Sequence, residues 1–127
     1  MSRVTAVCLC LVLAGCVTTG EANNFDMTPT KKYHGVATWY AKGKRTADGS
    51  KFDPNKYSVA HRTFPFGTML RLTNESNGSS IVAVVNDRGP FVRTKELDVS
   101  RGGAQALGFT NLGTAKLLIE VLPWRRE

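Results

Sequence analysis

From residue 35 onward, apolar and polar residues alternate over short stretches, which is the spacing of β-strands with one buried face. The stretches are rich in β-branched and aromatic residues, and turn-forming residues separate them. The dipeptide Asn77-Gly78 predicts a tight hairpin turn between two of them. Together the stretches predict six short strands, at 35–41, 57–60, 68–73, 80–85, 96–99 and 114–122.

The sequence also predicts one helix between the last two strands. Ser100 can cap its N-terminus, the helix continues through Leu107, and Gly108 takes the position just after its end. Asp53-Pro54 can begin a further single helical turn, with Asp as the cap and Pro at the first helical position. Six strands with one or two short helices predict an all-β barrel, because closure of the sheet removes its exposed edges.

The run 81–85 is apolar at every position and ends in charged side chains at Asp87 and Arg88. Such a run indicates a strand that is covered on both faces, with 81, 83 and 85 on one side and 82 and 84 on the other. Gly89-Pro90 prevents the strand from continuing, because Pro has no N–H and Gly readily leaves the β region. Asp87 therefore lies where a buried strand reaches the surface, which suits either a rigidly held functional carboxylate or a simple turn cap.

The first residues predict export. Arg3 precedes an apolar segment at 4–13, and small residues then lead to Cys16, as in a signal peptide followed by a bacterial lipobox. We expect residues 1–15 to be removed and Cys16 to carry lipid, because several acyl chains give a durable anchor. Residues 16–33 lack periodicity and predict a flexible linker, so the folded domain is expected at 34–123.

Composition narrows the chemistry of the domain. The cysteines are Cys8, Cys10 and Cys16, so the predicted domain has no disulfide framework and no thiol nucleophile. Two histidines without cysteine give no ligand spacing for a metal, and no cofactor motif is present. The net charge of +7 favours acidic partners, such as anionic lipid or carboxylates of the cell wall. Nucleic acid is not expected, because the basic residues are scattered along the chain.

Three segments resemble the RlpA (rare lipoprotein A) family: AHRTFPFGT at 60–68, VNDRGPF at 85–91 and LDVSRGGAQALG at 97–108. The resemblance extends over roughly residues 35 to 122 and implies a double-psi β-barrel, the fold also of barwin and expansins. It further implies a role at the bacterial cell wall, where some members are lytic transglycosylases. These cleave the MurNAc–GlcNAc bond of peptidoglycan and leave a 1,6-anhydro end.

The resemblance assigns acid/base catalysis to Asp87 and a supporting catalytic role to His61. On the residues alone, a core histidine is the favoured interpretation of His61, because apolar residues precede it, and the resemblance reverses that preference. A third functional position of the family is a glutamate, and Ser50 occupies that place here. A lytic transglycosylase can work with one acid/base group, because the 6-hydroxyl of the sugar is the internal nucleophile. Asp48, two positions earlier, could replace the glutamate if the loop shifted.

Further side chains are candidates for substrate binding. Trp39 and Tyr40 can stack on sugar rings, although strand alternation requires one of them to face the core. Arg88 is expected in the groove, where a guanidinium can pair with carboxylates of the glycan. Ser50 completes this predicted set.

Two functions follow from the resemblance. The first is a peptidoglycan lytic transglycosylase. The second is a non-catalytic wall-binding or septum-associated lipoprotein that has lost activity because Ser50 replaces the family glutamate. The expected partners are glycan strands, the membrane through the lipid anchor, and cell-division proteins. Because Val17 and not aspartate follows Cys16, we expect retention in the outer membrane of a Gram-negative cell, facing the periplasm. Longer family members carry a C-terminal peptidoglycan-binding repeat domain, which we do not expect in this chain.

Overall fold

The computed structural model describes residues 26–123. Six strands and one short helix follow one another in the order β1, β2, β3, β4, β5, α1, β6. Their bounds are β1 Lys31–Tyr40, β2 Ser58–Ala60, β3 Met69–Asn74, β4 Ser79–Asp87, β5 Leu97–Ser100, α1 Arg101–Ala106 and β6 Thr114–Val121.

The strands form a closed barrel in the spatial order β1-β5-β2-β4-β3-β6, with β6 pairing back onto β1. Two pairs are parallel, β1 with β5 and β2 with β4, and the remaining pairs are antiparallel. The predicted six-stranded all-β barrel is therefore confirmed. Within 26–123, no helix is long and apolar enough to cross a membrane.

The core fills the barrel interior with aliphatic side chains from every strand, and Phe109 closes it beside the helix. Alternate residues of each strand point inward, as the period-two pattern predicts. The largest fully buried members are Phe109, Leu70, Leu72, Leu97, Leu107, Leu117 and Ile119. Burial of about 25 cal/mol per Å² of apolar surface makes this interior the main source of stability.

The outer face of β4 differs from the prediction. Ile81, Ala83 and Val85 are buried as expected, but Val82 is 43% exposed and Val84 is only partly covered. The expectation of two buried faces was wrong, because no second layer from residues 26–123 covers this part of the barrel wall. The apolar run therefore has one core face and one face that is largely open to solvent.

The first strand begins earlier than predicted. Lys31, Lys32 and Tyr33 pair with Val121, Glu120 and Ile119 of β6, so these residues belong to the barrel and not to the predicted linker. Their polar composition hides the strand, because the two lysines are exposed at the sheet surface. The signal peptide and most of the predicted linker lie outside the described residues.

The predicted helix is confirmed with its caps. The Ser100 hydroxyl accepts a hydrogen bond from the Gly103 N–H, and Gly108 has a φ of +74° just beyond the C-cap. Asp53-Pro54 forms a turn and no helix, with the Asp53 side chain accepting from the Asn55 N–H. The hairpin that contains Asn77-Gly78 is longer than a two-residue turn, because β3 and β4 are joined by residues 75–78. The Gly78 N–H donates to the Asn74 carbonyl within this loop.

The helix fixes the loop that precedes β2. A Cβ atom on Gly102 would lie 2.5 Å from the Asn55 carbonyl oxygen, so the backbones approach as only glycine permits. The Gly102 N–H donates to the Pro54 carbonyl at 2.7 Å, and the buried Ser100 hydroxyl donates to the Lys56 carbonyl. The loop is thereby held against the barrel beside the end of β4.

Candidate active site

Asp87 is the last residue of β4 and is partly buried. Its Oδ1 accepts hydrogen bonds from the backbone N–H groups of Ala47 and Arg88, both at 2.9 Å. Its carbonyl accepts from the His61 N–H at 3.2 Å, which ties the strand end to β2. Asp87 is therefore held from both sides, and its Oδ2 has no protein partner among residues 26–123.

The loop of residues 45–50 docks onto this strand end. The Asp48 N–H donates to the Asn86 carbonyl at 3.2 Å, and the Arg45–Lys51 bridge closes the base of the loop. Asp48 Oδ1 accepts from the Ser50 N–H at 2.9 Å, from the Ser50 hydroxyl at 2.6 Å and from the Thr46 hydroxyl.

The hydrogen bonds to Asp48 set its charge. Those from the Ser50 and Thr46 side chains lower the pKa of Asp48 below its ordinary value, which favours its ionised form. Ser50 occupies the position where the family pattern has a glutamate. Its hydrogen bonds orient the Asp48 carboxylate, two residues earlier.

The two aromatic residues at the end of β1 face opposite sides, as alternation requires. Trp39 packs against the core and donates through Nε1 to the Thr110 carbonyl at 3.2 Å. Tyr40 points to the other face, where its ring stacks on Phe52 with centroids 4.8 Å apart. Burial raises the pKa of Tyr40 far above its usual range, and the negative charges of Asp87 and Asp98 add to this effect. Tyr40 therefore lies on the side of β1 that is influenced by Asp87 and Asp98, whereas Trp39 packs against the core; the predicted binding roles of both stay predictions.

Sequence reasoning missed Asp98 on β5. The Thr38 hydroxyl donates to Asp98 Oδ1 at 3.0 Å. Burial raises the pKa of Asp98, the Thr38 hydrogen bond opposes that rise, and the charge of Asp87 adds to it. The only signal in the sequence is a carboxylate at the outward position of a short apolar strand, between Leu97 and Val99.

The ring of His61 is turned away from the Asp87 carboxylate toward a second cluster. Its Nδ1 accepts from the N–H groups of Thr63 and Phe64, at 3.1 and 2.9 Å, and its Nε2 lies 3.2 Å from Glu96 Oε1. The ring stacks on Phe64 with centroids 3.7 Å apart. Burial lowers the pKa of His61, while Glu96 opposes that change, so the neutral ring donates from Nε2. The structure joins His61 to Asp87 through the backbone alone.

Glu96 is the centre of that second cluster and was not predicted. Besides His61 it accepts from the Tyr33 hydroxyl at 3.2 Å and from Arg62 at 3.3 Å. Gly35 makes room for it, because a Cβ atom there would lie 2.7 Å from the Glu96 Cβ. The Arg62 guanidinium also donates to the carbonyls of Pro90 and Lys95, both at 2.7 Å. The cluster therefore braces the turn that follows Asp87.

Arg88 is engaged with the protein. Its Nη1 donates to the Phe64 carbonyl at 2.9 Å and the His61 carbonyl at 3.3 Å, and the guanidinium lies 3.9 Å from the centre of the Phe66 ring. These contacts connect the segment 61–66 to the end of β4. The predicted role of Arg88 in substrate binding stays a prediction.

A groove of about 290 Å³ runs between the loop and the strand ends. It is lined on one side by Asp48, Ser50 and Lys51, and on the other by Ser58 and Asn86. A second hollow of about 420 Å³ lies on the other side of the turn, against Arg62, Phe91 and Arg93. No group of three or more His, Cys, Asp or Glu side chains placed for a metal ion occurs within residues 26–123.

Comparison with known proteins assigns the domain to a family. A family model described as lytic transglycolase matches residues 32–119. The chain belongs to this family, the RlpA family. A probable endolytic peptidoglycan transglycosylase RlpA of Synechocystis is 38% identical over 117 residues, which span 88% of this chain and 36% of that protein. The corresponding protein of Treponema pallidum is 47% identical over 88 residues, spanning 67% of this chain and 28% of the relative.

The RlpA family assignment agrees with the fold. The Streptomyces papain inhibitor superposes with a TM-score of 0.63 at 20% identity, over 77% of this chain and all of that one. At this identity the likeness concerns the fold alone, and it supports the predicted double-psi β-barrel. The chain spans about a third of the length of the curated RlpA relatives named above.

Proposed function

We propose that this chain is an RlpA-type lytic transglycosylase that cleaves the MurNAc–GlcNAc bond of peptidoglycan glycan strands and leaves 1,6-anhydro ends. One observation carries the proposal: two backbone N–H groups hold Asp87 Oδ1 at the end of β4, directly after the groove residue Asn86, and Oδ2 has no partner among residues 26–123. A rigidly placed carboxylate is what acid/base chemistry at a glycosidic oxygen requires. The names of the RlpA relatives support the substrate class.

The chemistry needs few further groups. The 6-hydroxyl of the sugar is already close to the anomeric carbon, so proximity replaces an enzymic nucleophile and an activated water. Asp48 provides a second negative charge at the loop, and Tyr40 provides an aromatic wall beside Asp87. In this proposal Ser50 contributes by orienting Asp48 and does not itself replace the family glutamate.

In this proposal His61 stabilises the surroundings of Asp87 and does not take part in the reaction. Both nitrogens of its ring are used within the protein, and its backbone N–H donates to the Asp87 carbonyl. A direct catalytic role for the ring would require it to leave Glu96 and two backbone donors. We therefore assign it to holding the turn 61–64 against the end of β4.

A peptidoglycan-binding role without catalysis is the second candidate. The observation that favours it is Ser50, which stands where the family pattern has a carboxylate and whose hydroxyl is bonded to Asp48. Under this alternative, the groove would hold glycan strands, and no bond would be cleaved.

Product analysis distinguishes the two candidates. The purified chain is incubated with intact peptidoglycan and, in parallel, with peptide-free glycan strands, and the soluble products are weighed by mass spectrometry. A lytic transglycosylase gives products with anhydro ends, one water lighter than hydrolysed ends. Sedimentation with the wall material and no soluble product would instead support the binding role.

The cellular setting follows from the first residues. In this proposal Cys16 carries lipid and anchors the protein in the outer membrane, so that the barrel acts on the wall from the periplasmic side. Cell-division proteins are proposed as partners on the family resemblance.

A further inference from the structure

Asp87 and Asp98 lie in one row across the barrel wall. In the strand register, Asp87 of β4 pairs with Ala60 of β2, Ala60 pairs with Asp98 of β5, and Asp98 pairs with Thr38 of β1. Neighbouring strands are about 4.8 Å apart, so the backbones of the two aspartates are separated by roughly 10 Å. The side chain between them is a single methyl group. Asp87 and Asp98 therefore flank Ala60 on its two sides, at the point where β2 and β4 shift register between Val59 and Ala60.

Thr38 orients the Asp98 carboxyl group. Its hydroxyl donates to Oδ1 at 3.0 Å, which leaves Oδ2 as the oxygen that can hold a proton. Asp98 is partly buried, whereas Asp48 on the neighbouring loop is exposed. Burial disfavours the charged form of Asp98, and the negative charge of Asp87 acts in the same direction.

Tyr40 lies within electrostatic reach of both aspartates. Its hydroxyl is buried and has no hydrogen-bond partner among the described residues. Burial raises the pKa of Tyr40, and the negative charges of Asp87 and Asp98 add to this rise. A buried hydroxyl without a partner is unusual, and the Ser58 side chain is close enough to lower the pKa of Tyr40 by hydrogen bonding.

We propose that Asp98 is the general acid of the reaction and that Asp87 is the base, the pair holding one proton between them. This inference rests on the proposed function and divides between two residues the work that the family resemblance gives to Asp87. The groups that face Asp98 are Thr38 and Tyr40 from β1, Ala60 from β2 and Asp87 from β4.

The proton count of the reaction balances with this assignment. Asp98 Oδ2 gives its proton to the glycosidic oxygen as the bond from that oxygen to the anomeric carbon breaks, and the bonding electrons stay on the leaving oxygen. The 6-hydroxyl oxygen forms the new bond to the anomeric carbon, and its proton passes to Asp87. Asp98 then carries the charge and Asp87 the proton. Exchange of that proton with water or with Asp98 restores the starting state.

The first test is the turnover of Asp98→Asn on peptidoglycan. The amide has nearly the same shape but cannot deliver the proton, so the rate of anhydro-product formation should fall by about 10²–10⁴-fold, with glycan binding unchanged. The wild-type rate should decline as the pH rises and Asp98 loses its proton, and the variant should lose this dependence. Glu75→Gln, which removes an exposed carboxylate at the β3–β4 hairpin, is the matched control and should retain the wild-type rate.

The outcomes separate the two proposals. If the wild type forms anhydro products and Asp98→Asn forms them equally fast, Asp98 is not the acid and the proposed function stands. If the wild type forms no such products, the proposed function fails and the acid role fails with it.

A second measurement does not depend on turnover. Carboxyl-carbon NMR should give Asp98 in the folded wild type a pKa above the ordinary aspartate value, and Asp87→Asn should lower it, because the neighbouring charge is removed. An ordinary pKa for Asp98, or a pKa that Asp87→Asn leaves unchanged, would overturn the shared-proton arrangement.

Discussion

His61 uses both nitrogens of its ring within the protein, and this fixes its protonation state. A cation would need a hydrogen on Nδ1, where the N–H groups of Thr63 and Phe64 already donate. Protonation would therefore break both hydrogen bonds. Burial lowers the pKa of His61 below its ordinary value of 6.5, in agreement with this geometry.

Because the unfolded chain binds this proton more readily than the folded protein, stability should be lost on acidification. His61 contributes fully above about pH 6.5, and its contribution falls as the pH drops below that value, with a slope of at most about 1.4 kcal/mol per pH unit. Thermal unfolding of the wild type and of His61→Asn over this range measures the difference. The Asn oxygen can replace Nδ1 as acceptor and cannot be protonated, so the variant should show a smaller slope. An equal slope in the wild type and His61→Asn would contradict this prediction.

Asp48 is expected to contribute to catalysis through its charge. Asp48→Asn removes a negative charge that faces Tyr40 and the groove, so cleavage should slow by about tenfold, which corresponds to about 1.4 kcal/mol of transition-state stabilisation. Ser50→Ala removes only one orienting hydrogen bond and should have a smaller effect. Initial rates on glycan strands measure both. Full activity in Asp48→Asn would show that the loop carboxylate has no part in the reaction.

Among single residues, the sequence predicts those functional side chains whose surroundings are formed by neighbours along the chain. Asp87 is recognisable because the residues on both sides of it end the strand. Asp98 and Glu96 are not, because their partners come from β1, β2 and β4, and nothing in one sequence says which strands are neighbours.

At the scale of elements, β4 has one core face and one face that is largely open to solvent. Val85 is fully buried, whereas Val82 is 43% exposed, although both are valines in one apolar run. Local alternation predicts which residues share a face. Whether the outer face is covered depends on a second layer, and that information is not local.

The two valines form a matched pair for a stability measurement. Val85→Asp should unfold the domain, since burying an unpaired carboxylate costs several kcal/mol against a total stability of about 5–15 kcal/mol. Val82→Asp should leave the thermal midpoint within a few degrees of wild type. Circular dichroism on heating measures the thermal midpoints. A similar drop of the midpoint in both variants would mean that the two faces of β4 are assigned incorrectly.

The helix could be predicted from local sequence, whereas the start of the first strand could not. Ser100 and Gly108 mark the ends of the helix, because caps act on residues three or four positions away. The start of β1 at Lys31 is invisible in the pattern, since the strand is defined there by its pairing with β6, some ninety residues later along the chain.

At the scale of the whole molecule, barrel closure brings together the ends of strands that are far apart in sequence. The surroundings of Asp87 combine the loop at 45–50, the end of β4 and, across Ala60, Asp98 of β5. No contiguous segment contains this set. The family resemblance predicts Asp87, and the register of the sheet adds Asp98 to the residues around it.

The lipid anchor is tested by Cys16→Ser. Because a serine oxygen cannot form the thioether to the diacylglyceryl group, the variant should appear in the soluble fraction or remain unprocessed. Membrane fractionation and immunoblotting of the two forms measure this. Unchanged association with the membrane would rule out lipidation at Cys16.

The proposed reaction is tested most directly by comparing the wild type with Asp87→Asn on peptide-free glycan strands. The Asn side-chain oxygen can still accept from the Ala47 and Arg88 N–H groups, so the variant should fold and bind as the wild type does. The measurement is the rate at which 1,6-anhydro ends appear, read by mass spectrometry. The account predicts steady formation by the wild type and a loss of about 10²–10⁴-fold in Asp87→Asn. Equal rates in the two proteins, or no anhydro ends from the wild type, would contradict it.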